Sequence, residues 1–488
     1  MKKSIIAVIY FLSFCSIYAQ KHDQHWLLGY YGSGTPPFRE RLIFNFNPTL
    51  TLDSIQTKMN FEESNAAISN SGGRLLFFTN GNYIADATGD TMFNGDDLNH
   101  GACSTAYSPY GIPLPQSEII LPSPGDTNIY YIFHMTCDMQ STPAGLPQKL
   151  MYTVVDMTLN GGLGGVTQKN VPIFFDQLVY GQMTSCKHGN GSDWWIFVPK
   201  YNSNAFHRIL LNSSGITSDT IQYGLIHGGQ PHPGGAVFSP DGEWYSRYDA
   251  NTGLSLMRFD RCNGLLSDEL IRDPSNFLMS NLMEGGVAFS QSSQFLYTTT
   301  DLETNQFDVY ASDIMNSQIQ VAIYDTFNCP FGSNMAWPTL APDGKIYITA
   351  SSGNYCISYI EQPDLPGLAC NVVKHGITLP MAISRSATFP NNPNFRLGSK
   401  DCTSGLQDFS LRSLDIFPNP ASSFFSFNEN ILPVLKSIQI YSVEGKLMIQ
   451  VDYPENNLIN TDEFPDGIYT ITLITEKKVF NGQLIIMK

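Results

Sequence analysis

A strand–turn–strand pattern recurs along this chain at a nearly constant interval, and no other feature restricts the fold as much. Residues 234–260 read as an apolar strand, a Ser-Pro-Asp-Gly turn, an aromatic strand, a polar turn and a third alternating strand. Residues 285–310 and 337–359 repeat this order. Equivalent positions lie 51 residues apart, at Phe238, Phe289 and Leu340. A fixed period of this length is typical of propellers and other arrays, whose small sheets bury their faces against each other.

Weaker copies of the pattern extend the repeat in both directions, around Ile68, Ile120, Ser185 and Phe389. All copies together predict a seven-bladed β-propeller over residues 20–398, with six or eight blades as alternatives because two copies are degenerate. The strands at Trp26 and Leu42 have no equivalent position of their own, and the copy at Phe389 is too short to complete a sheet. We therefore expect the two ends to share one blade, which closes the ring and leaves no open edge strand.

The composition predicts an all-β fold class. Aromatic residues make up 12% of the 488 residues and charged residues only 14%, with 40 Gly and 29 Pro. Such a mixture suits short strands joined by tight turns, and no long stretch has the apolar period of an amphipathic helix. The formal net charge of −16 disfavours nucleic acid and anionic membrane surfaces as partners.

Residues 1–19 have the features of a secretory signal peptide. Lys2 and Lys3 precede an apolar run over residues 5–18, and Ala19 is a suitable cleavage position. The run is too short for a transmembrane helix, so no membrane span is expected. We predict an exported chain from which this segment is removed.

Eight cysteines follow the signal peptide: Cys103, Cys137, Cys186, Cys262, Cys329, Cys356, Cys370 and Cys402. Export permits them to form disulfides. Many pairings are open, and Cys356 with Cys370 is favoured because it closes the shortest loop. No two cysteines have the Cys-x-x-Cys spacing of a zinc ribbon, and no cofactor or metal site is expected.

The composition changes near the end of the predicted propeller. Residues 399–413 are small and polar, which indicates a linker. Residues 414–488 then alternate strand-like runs with turns, and this pattern predicts a small Ig-like β-sandwich.

Three motifs follow each other in this C-terminal domain: DIFPNPA at residues 415–421, IYSVEGKL at residues 440–447 and FPDGIYT at residues 464–470. They resemble the type A C-terminal sorting domain of the type IX secretion system of Bacteroidota. The resemblance implies an Ig-like sandwich that directs the chain to an outer-membrane translocon and its sortase-like processing machinery. The protein is then expected to be secreted or attached to the outer-membrane surface.

The residues that carry this resemblance are Pro418, Asn419, Pro420, Gly445, Gly467, Tyr469 and Lys488. The two prolines force an extended entry into the domain. The two glycines suit tight turns, and the tyrosine is expected to face a small core.

The predicted propeller is itself similar to uncharacterised Bacteroidota surface proteins with WD40-like or YVTN-like propellers. The similar stretches are FFTNG at residues 77–81, LPSPG at residues 121–125 and FDRCNG at residues 259–264. The resemblance implies a surface protein and names no ligand.

Few residues of the predicted propeller point to chemistry. His227 and His232 lie in a Gly/Pro-rich loop before a first strand, and Trp337 precedes its own strand at a channel-facing position. The histidines lack the nearby carboxylate that would complete a metal site, and hydrogen bonding to the backbone is the simpler interpretation. Trp337 is a candidate for stacking on a sugar ring, with core packing as the alternative.

These observations favour a secreted or surface-attached protein that binds a glycan, a peptide or a protein. The sequence contains no GxSxG, HExxH or phosphate-loop motif. Propellers also carry enzymes whose catalytic residues come from several blades, so an exported hydrolase or lyase with its site at the channel mouth is the alternative. A third alternative is a structural component of the surface layer that binds no small ligand.

Overall fold

The fold is that of a computed structural model, which describes residues 20–30, 39–108, 110–137, 145–179, 181–227, 234–279, 284–384, 388–402, 412–414, 416–427, 432, 435–443, 446–454, 456–475 and 479–488. The chain divides into two compact units, Met1–Lys400 and Asp401–Lys488. Both units are built mainly of β-strands, so the predicted all-β fold class is confirmed. The predicted signal peptide and its cleavage position Ala19 lie outside the described residues.

The described part of the first unit contains seven small sheets, and in each sheet the strands are hydrogen-bonded in chain order. Sheet 1 consists of β1 (His25–Leu28), β2 (Arg39–Asn45) and β3 (Thr51–Thr57). Sheet 2 consists of β4 (Ala66–Ser69), β5 (Leu75–Thr79) and β6 (Ile84–Asp86). Sheet 3 consists of β7 (Glu118–Pro122), β8 (Ile129–Cys137), β9 (Pro147–Asp156) and β10 (Gly165–Phe175). Sheet 4 consists of β11 (Thr184–Lys187), β12 (Trp194–Pro199), β13 (Ser203–Asn212) and β14 (Gly215–His227).

Sheets 5 to 7 have four strands each. Sheet 5 consists of β15 (Gly235–Phe238), β16 (Trp244–Asp249), β17 (Gly253–Asp260) and β18 (Leu265–Arg272). Sheet 6 consists of β19 (Gly285–Phe289), β20 (Phe295–Thr300), β21 (Glu303–Asp308) and β22 (Ile319–Ile323). Sheet 7 consists of β23 (Trp337–Leu340), β24 (Ile346–Thr349), β25 (Asn354–Ile360) and β26 (Val372–Ile383). The helical elements described in the first unit are short, namely α1 (Ala102–Tyr107) and 3₁₀ turns at Asn160–Gly162, Pro274–Asn276, Met315–Ser317 and Gly367–Cys370.

The sequence repeat corresponds to the first strands of the sheets. Six of the seven predicted equivalent positions lie on first strands, namely Ile68, Ile120, Ser185, Phe238, Phe289 and Leu340. Neighbouring first strands are in contact, as β15 is with β19 and β19 with β23, which gives a propeller-like arrangement. We call the end of this arrangement at which the first strands begin the upper face, and the opposite end the lower face.

The turns after two of these first strands contain a glycine with positive φ. In the Ser-Pro-Asp-Gly turn between β15 and β16, Gly242 has a φ of +72°, and the equivalent Gly344 has a φ of +83°. The carboxylate of Asp241 accepts a hydrogen bond from the N–H of Glu243 at 3.0 Å. Glycine is favoured here because a side chain would strain this left-handed conformation.

Sheet 1 differs from the others because β1 runs opposite to β4. The N–H of Lys21 donates to the carbonyl of Ser71 after β4, whereas the N–H of Phe61, before β4, donates to Gly29 after β1. β1 therefore takes the position of a second strand. Residues 388–400, which we call the closing segment, run beside β1, with the Phe389 ring 4.8 Å from the Trp26 ring.

The predicted sharing of one blade by the two chain ends is only partly correct. The closing segment lies where the first strand of sheet 1 is missing, but none of its residues is in a strand. Pro390 and Pro393 have no backbone N–H, so this stretch cannot donate a regular ladder of hydrogen bonds. Sheets 1 and 7 instead pack face to face through Trp26, Phe44 and Tyr347.

The predicted disulfide between Cys356 and Cys370 is wrong. Cys356 is bonded to Cys329, with their Cα atoms 6.0 Å apart, and a second disulfide joins Cys103 to Cys137. Cys370 and Cys186 are free and buried. β25 carries the chain from one end of sheet 7 to the other, so Cys356 and Cys370 are distant in space although they are close in sequence.

The second unit consists of two sheets that enclose one core. The larger sheet has the order β27 (Arg412–Ser413), β34 (Val479–Ile486), β33 (Gly467–Thr475), β30 (Leu435–Ser442) and β31 (Leu447–Asp452). The smaller sheet has the order β28 (Ile416–Phe417), β29 (Phe424–Phe427) and β32 (Leu458–Asn460). Side chains of both sheets, such as Phe425 and Ile440, are fully buried between them.

Candidate functional site

The axis of the propeller-like unit is largely filled by the chain itself. A cavity of about 110 Å³ lies among β11, β15, β19, β23 and the closing segment. Above it, the side-chain amide of Gln116 reaches across to β15 and forms two hydrogen bonds with the backbone of Ala236, at 3.0 and 3.3 Å. The space that propellers commonly offer to ligands is therefore small in this protein.

Polar side chains hold the closing segment inside the ring. They donate hydrogen bonds to backbone carbonyls next to sheets 2, 4 and 5: Thr388 to Glu63 at 2.8 Å, Asn391 to Met183 at 2.5 Å and Asn394 to Pro240 at 2.7 Å. At the lower end, Arg396 forms two hydrogen bonds with the carboxylate of Asp23, at 2.6 and 2.7 Å. The closing segment thus runs through the ring from the upper face to the lower face. Through Arg396 and Asp23 it also connects the C-terminal part of the unit to the N-terminal part.

Lys187 is the one buried lysine that lines this cavity within the described residues. Its burial, together with the positive charge of Arg261, lowers the pKa of Lys187 to about 8. The ammonium group donates to the side chain of Gln20 at 2.9 Å and lies 5.3 Å from the ring centre of Trp194. Sequence reasoning missed Lys187, because nothing in its local context indicates burial.

The predicted ligand residues are not brought together in the described residues. Trp337 is buried in the wall of the cavity, and its indole N–H donates to Glu284 at 3.3 Å. His227 ends β14, the outermost strand of sheet 4, where its backbone pairs with Ser203. His232 lies outside the described residues.

A different surface on the upper face concentrates exposed aromatic side chains. Residues 324–333, which we call the aromatic loop, connect β22 to β23 and carry Phe327 and Phe331. Phe327 is 46% exposed and Phe331 is 64% exposed, and the neighbouring Tyr355 is 40% exposed. The sequence pattern Phe-Asn-Cys-Pro-Phe identifies a loop, but it does not tell whether the two rings are buried.

Asp325 anchors the aromatic loop to sheet 7. Its carboxylate lies 3.1 Å from His375 Nε2 and 3.1 Å from Lys374 Nζ. Partial burial acts to raise the pKa of Asp325, but the hydrogen bonds from Lys374, His375 and the Phe327 N–H outweigh it and lower the pKa to about 2. The Phe327 ring also stacks on the imidazole of His375, with ring centres 4.3 Å apart.

The same histidine lies 3.2 Å from the hydroxyl of Ser333 through Nδ1. A Ser–His–Asp chain of this kind can activate a serine in hydrolases. Ser333 is only 1% exposed, however, so a substrate carbonyl has no access to its hydroxyl in this conformation. The arrangement can fix the loop, and it does not present a nucleophile.

A second cluster of the same composition lies between sheets 3 and 4. Asp176 contacts Lys200 at 2.8 Å and His207 at 3.0 Å, and Phe174 stacks on His207 with ring centres 3.9 Å apart. In both clusters an aspartate that follows a last strand bonds to the next sheet. Their recurrence supports a role in holding sheet-to-sheet connections in place.

The C-terminal unit brings its predicted motif residues close to the last strand. The side chain of Asn419 donates to the carbonyl of Gln483 at 2.6 Å and accepts from the N–H of Ile485 at 2.8 Å. The N–H of the terminal Lys488 donates to Asp466 at 2.9 Å. These contacts fix both ends of the unit to its larger sheet.

Tyr469 of the motif is buried in the core of this unit, as predicted. Its hydroxyl donates to the carbonyl of Pro465 at 2.8 Å. Pro418 and Pro420 flank Asn419 in the segment between β28 and β29, and Gly467 begins β33. Gly445 lies outside the described residues.

Two further properties bear on function. No helix among the described residues is long and apolar enough to cross a membrane. In the same part of the chain, no group of three or more His, Cys, Asp or Glu side chains is arranged to hold a metal ion.

Several solved structures are distantly similar to this chain. A putative 6-phosphogluconolactonase from Bacteroides uniformis is 12% identical, with a TM-score of 0.42 over 74% of this chain and 98% of that chain. The periplasmic gluconolactonase PpgL of Pseudomonas aeruginosa is 11% identical, with a TM-score of 0.41 over 75% of this chain and 97% of that chain. Sqt1 from Chaetomium thermophilum is 13% identical, with a TM-score of 0.29 over 74% and 80%. Similarity at this level says nothing about the activity of this protein.

The C-terminal unit, in contrast, matches the model of a known protein family. No curated protein matches the chain, whereas residues 415–487 match a family model described as a secretion system C-terminal sorting domain. This match covers the three motifs of the sequence and the strands from β28 to β34. The protein therefore carries a sorting domain of the type IX secretion system at its C-terminal end, and it is exported and either secreted or attached at the cell surface.

Proposed function

We propose that the exported part of this protein is a seven-bladed β-propeller that acts as a binding protein, with its ligand contacts on the upper face. The observation that carries the proposal is the closing segment, which occupies the channel together with Gln116. With only about 110 Å³ of free volume, the channel is smaller than the roughly 300–1,000 Å³ of a typical small-molecule site. A ligand then has to bind at an outer surface.

The alternative is an exported hydrolase or lyase. The nearest approach to a catalytic arrangement is the Asp325–His375–Ser333 chain, and its serine is buried. Lys187 has a lowered pKa but is bonded to Gln20 and covered by Trp194. Both observations weigh against catalysis by these groups and favour the binding proposal.

The proposed destination follows from the sorting domain. Its partners are the type IX translocon and the sortase-like machinery, which recognise the C-terminal unit, and the propeller is the cargo. We also propose that the two sheets of this unit have the Ig-like topology of its family and that the source is a member of the Bacteroidota.

The test uses the full exported chain without its signal peptide. It is applied to immobilised neutral and acidic glycans and to a peptide library, and the polysaccharides are assayed in parallel for new reducing ends. We expect saturable binding to at least one probe and no degradation. Release of reducing ends by the purified chain would support the hydrolase alternative, and binding to none of the probes would contradict the binding proposal.

The same assay tests the residues predicted from the sequence. If the ligand contacts Trp337 and His232, the double variant Trp337→Ala/His232→Ala should bind at least about tenfold more weakly, since a central aromatic contact costs more than 1 kcal/mol. Unchanged binding would eliminate this pair as the site.

A further inference from the structure

The aromatic loop is held rigidly although it is exposed. The Cys329–Cys356 disulfide joins it to the start of β25, and the N–H of Tyr355 donates to the carbonyl of Cys329 at 2.7 Å. Within the loop, the N–H of Ser333 donates to Phe327 at 2.9 Å. A backbone held in this way loses little conformational entropy when a ligand binds, which is typical of binding sites.

The aromatic loop contains one charged side chain, that of Asp325, and its charge is paired. The carboxylate of Asp325 is matched by the ammonium group of Lys374. Thr326 and Asn328 are exposed between the aromatic residues. The Thr326 hydroxyl donates to the carbonyl of Asp325 at 2.6 Å and can accept a further hydrogen bond, and Asn328 supplies an amide that can donate and accept. The loop itself therefore offers a strongly charged ligand no unpaired charge.

The exposed area of the three aromatic side chains Phe327, Phe331 and Tyr355 distinguishes between a protein and a smaller ligand. An aromatic side chain has roughly 200 Å² of surface, so the exposed fractions of Phe327, Phe331 and Tyr355 add up to roughly 300 Å². Each partner in a stable protein complex buries about 800 Å². A patch of a few hundred Å² suits a ligand of a few rings and is often functional.

We propose that the aromatic loop and Tyr355 form a binding platform for a neutral oligosaccharide. The apolar C–H faces of the sugar rings stack on Phe331 and Tyr355, and the sugar hydroxyls bond to the side chains of Thr326 and Asn328. This inference rests on the proposed binding function and specifies its ligand class and its site. The export of the chain brings the platform to the outside of the cell, where polysaccharides are available.

The test is affinity electrophoresis of the full exported chain in gels that contain soluble β-glucan, xylan, galactomannan or amylose, with alginate as the acidic comparison. The variants are Phe331→Ala, Tyr355→Ala and the conservative Tyr355→Phe. Phe175→Ala is the matched control, because Phe175 is 74% exposed and lies next to the Asp176 cluster. All four substitutions are at exposed positions and should leave folding unchanged.

We expect retardation by at least one neutral polysaccharide. Phe331→Ala and Tyr355→Ala should each raise the Kd about tenfold, Tyr355→Phe should retain most of the binding, and Phe175→Ala should change the Kd by less than about twofold. Equal retardation of all variants would show that the aromatic loop and Tyr355 are not the binding site, and it would leave the proposed binding function intact. Retardation by alginate alone, or binding only to the peptide library of the assay described above, would overturn the ligand class. Binding to none of the probes in either assay would contradict the binding function itself.

Discussion

The closing segment and the aromatic loop have similar sequences and opposite exposures. The closing segment contains Phe-Pro-Asn-Asn-Pro-Asn-Phe, and the aromatic loop contains Phe-Asn-Cys-Pro-Phe. Phe389 and Phe395 of the closing segment are 2% and 0% exposed, whereas Phe327 and Phe331 of the aromatic loop are 46% and 64% exposed. Local composition therefore does not decide whether an irregular segment closes a core or presents a surface.

The difference lies in what surrounds each segment. Phe389 packs against Trp26, Phe44 and Tyr347 because the first-strand position of sheet 1 is open to it. The aromatic loop is instead anchored by a disulfide and by Asp325, and Phe331 remains 64% exposed. The same residue types thus stabilise the fold in one place and remain available for binding in the other.

The largest effect is expected in the closing segment. Phe389→Ala removes a fully packed ring between sheets 1 and 7, and substitutions of this type cost about 3–5 kcal/mol of unfolding free energy. The measurement is urea unfolding of the full exported chain, with Phe175→Ala as the exposed control. A loss below about 1 kcal/mol would mean that the closing segment is not needed to close the ring.

Removal of the loop disulfide should have the next largest effect. Cys329→Ser with Cys356→Ser opens a covalent loop with a sequence separation of 27 residues, which corresponds to roughly 3.5 kcal/mol in the chain-entropy model. We also expect faster proteolytic cleavage within residues 324–333. The control is Cys103→Ser with Cys137→Ser, which opens a loop of similar size, with a separation of 34 residues, and should not accelerate that cleavage.

The interior of the ring, where Glu118 begins β7, and the aromatic loop should respond to pH in opposite ways. Inside the ring, burial raises the pKa of Glu118 to about 8, whereas the pKa of Asp325 on the aromatic loop is lowered to about 2. Above its ordinary pKa of 4.5, Glu118 ionises in the unfolded chain but stays protonated in the folded chain. Stability should therefore fall as the pH rises from about 4.5 to about 8, by at most about 1.4 kcal/mol per pH unit.

The Asp325 contribution has the opposite sign, because its folded pKa lies below its ordinary value of 3.8. It is fully present above that value and is lost as the pH falls towards 2. Unfolding curves recorded from pH 5 to pH 9 test the first effect: Glu118→Gln should flatten the decline, and Asp325→Asn should leave it unchanged. If the unfolding free energy of Glu118→Gln still falls with rising pH, other titratable groups cause the decline.

The smallest effect is expected for Phe331→Ala. Its ring is exposed, so the free energy of unfolding should change by no more than about 0.5 kcal/mol, although ligand binding should weaken. Urea unfolding of this variant beside Phe389→Ala measures the contrast directly. Comparable losses of stability in both variants would show that the aromatic loop is part of the core.

Sequence reasoning predicted the repeated part of the fold well. Six of the seven repeat positions lie on first strands, and the Ser-Pro-Asp-Gly sequence recognised as a turn does connect two strands, β15 and β16. It failed where distant parts of the chain meet, at the Cys356 disulfide and at the path of the closing segment. Of the two predicted ligand residues that the structure describes, Trp337 lines the channel cavity, with its indole bonded to Glu284, and His227 ends an outer strand. The aromatic loop and its Asp325 anchor were not foreseen.

The sequence by itself determined the all-β class, the spacing of the sheets and the sorting signal for export. Those properties depend on alternation, on turn residues and on short motifs such as the one around Asn419, which act over a few neighbouring residues. Only the tertiary structure decided the partner of Cys356, the direction of β1 and the exposure of each phenylalanine. These depend on which residues meet across intervals from 27 residues, as for Cys329 and Cys356, to several hundred, and local patterns carry no information about such contacts.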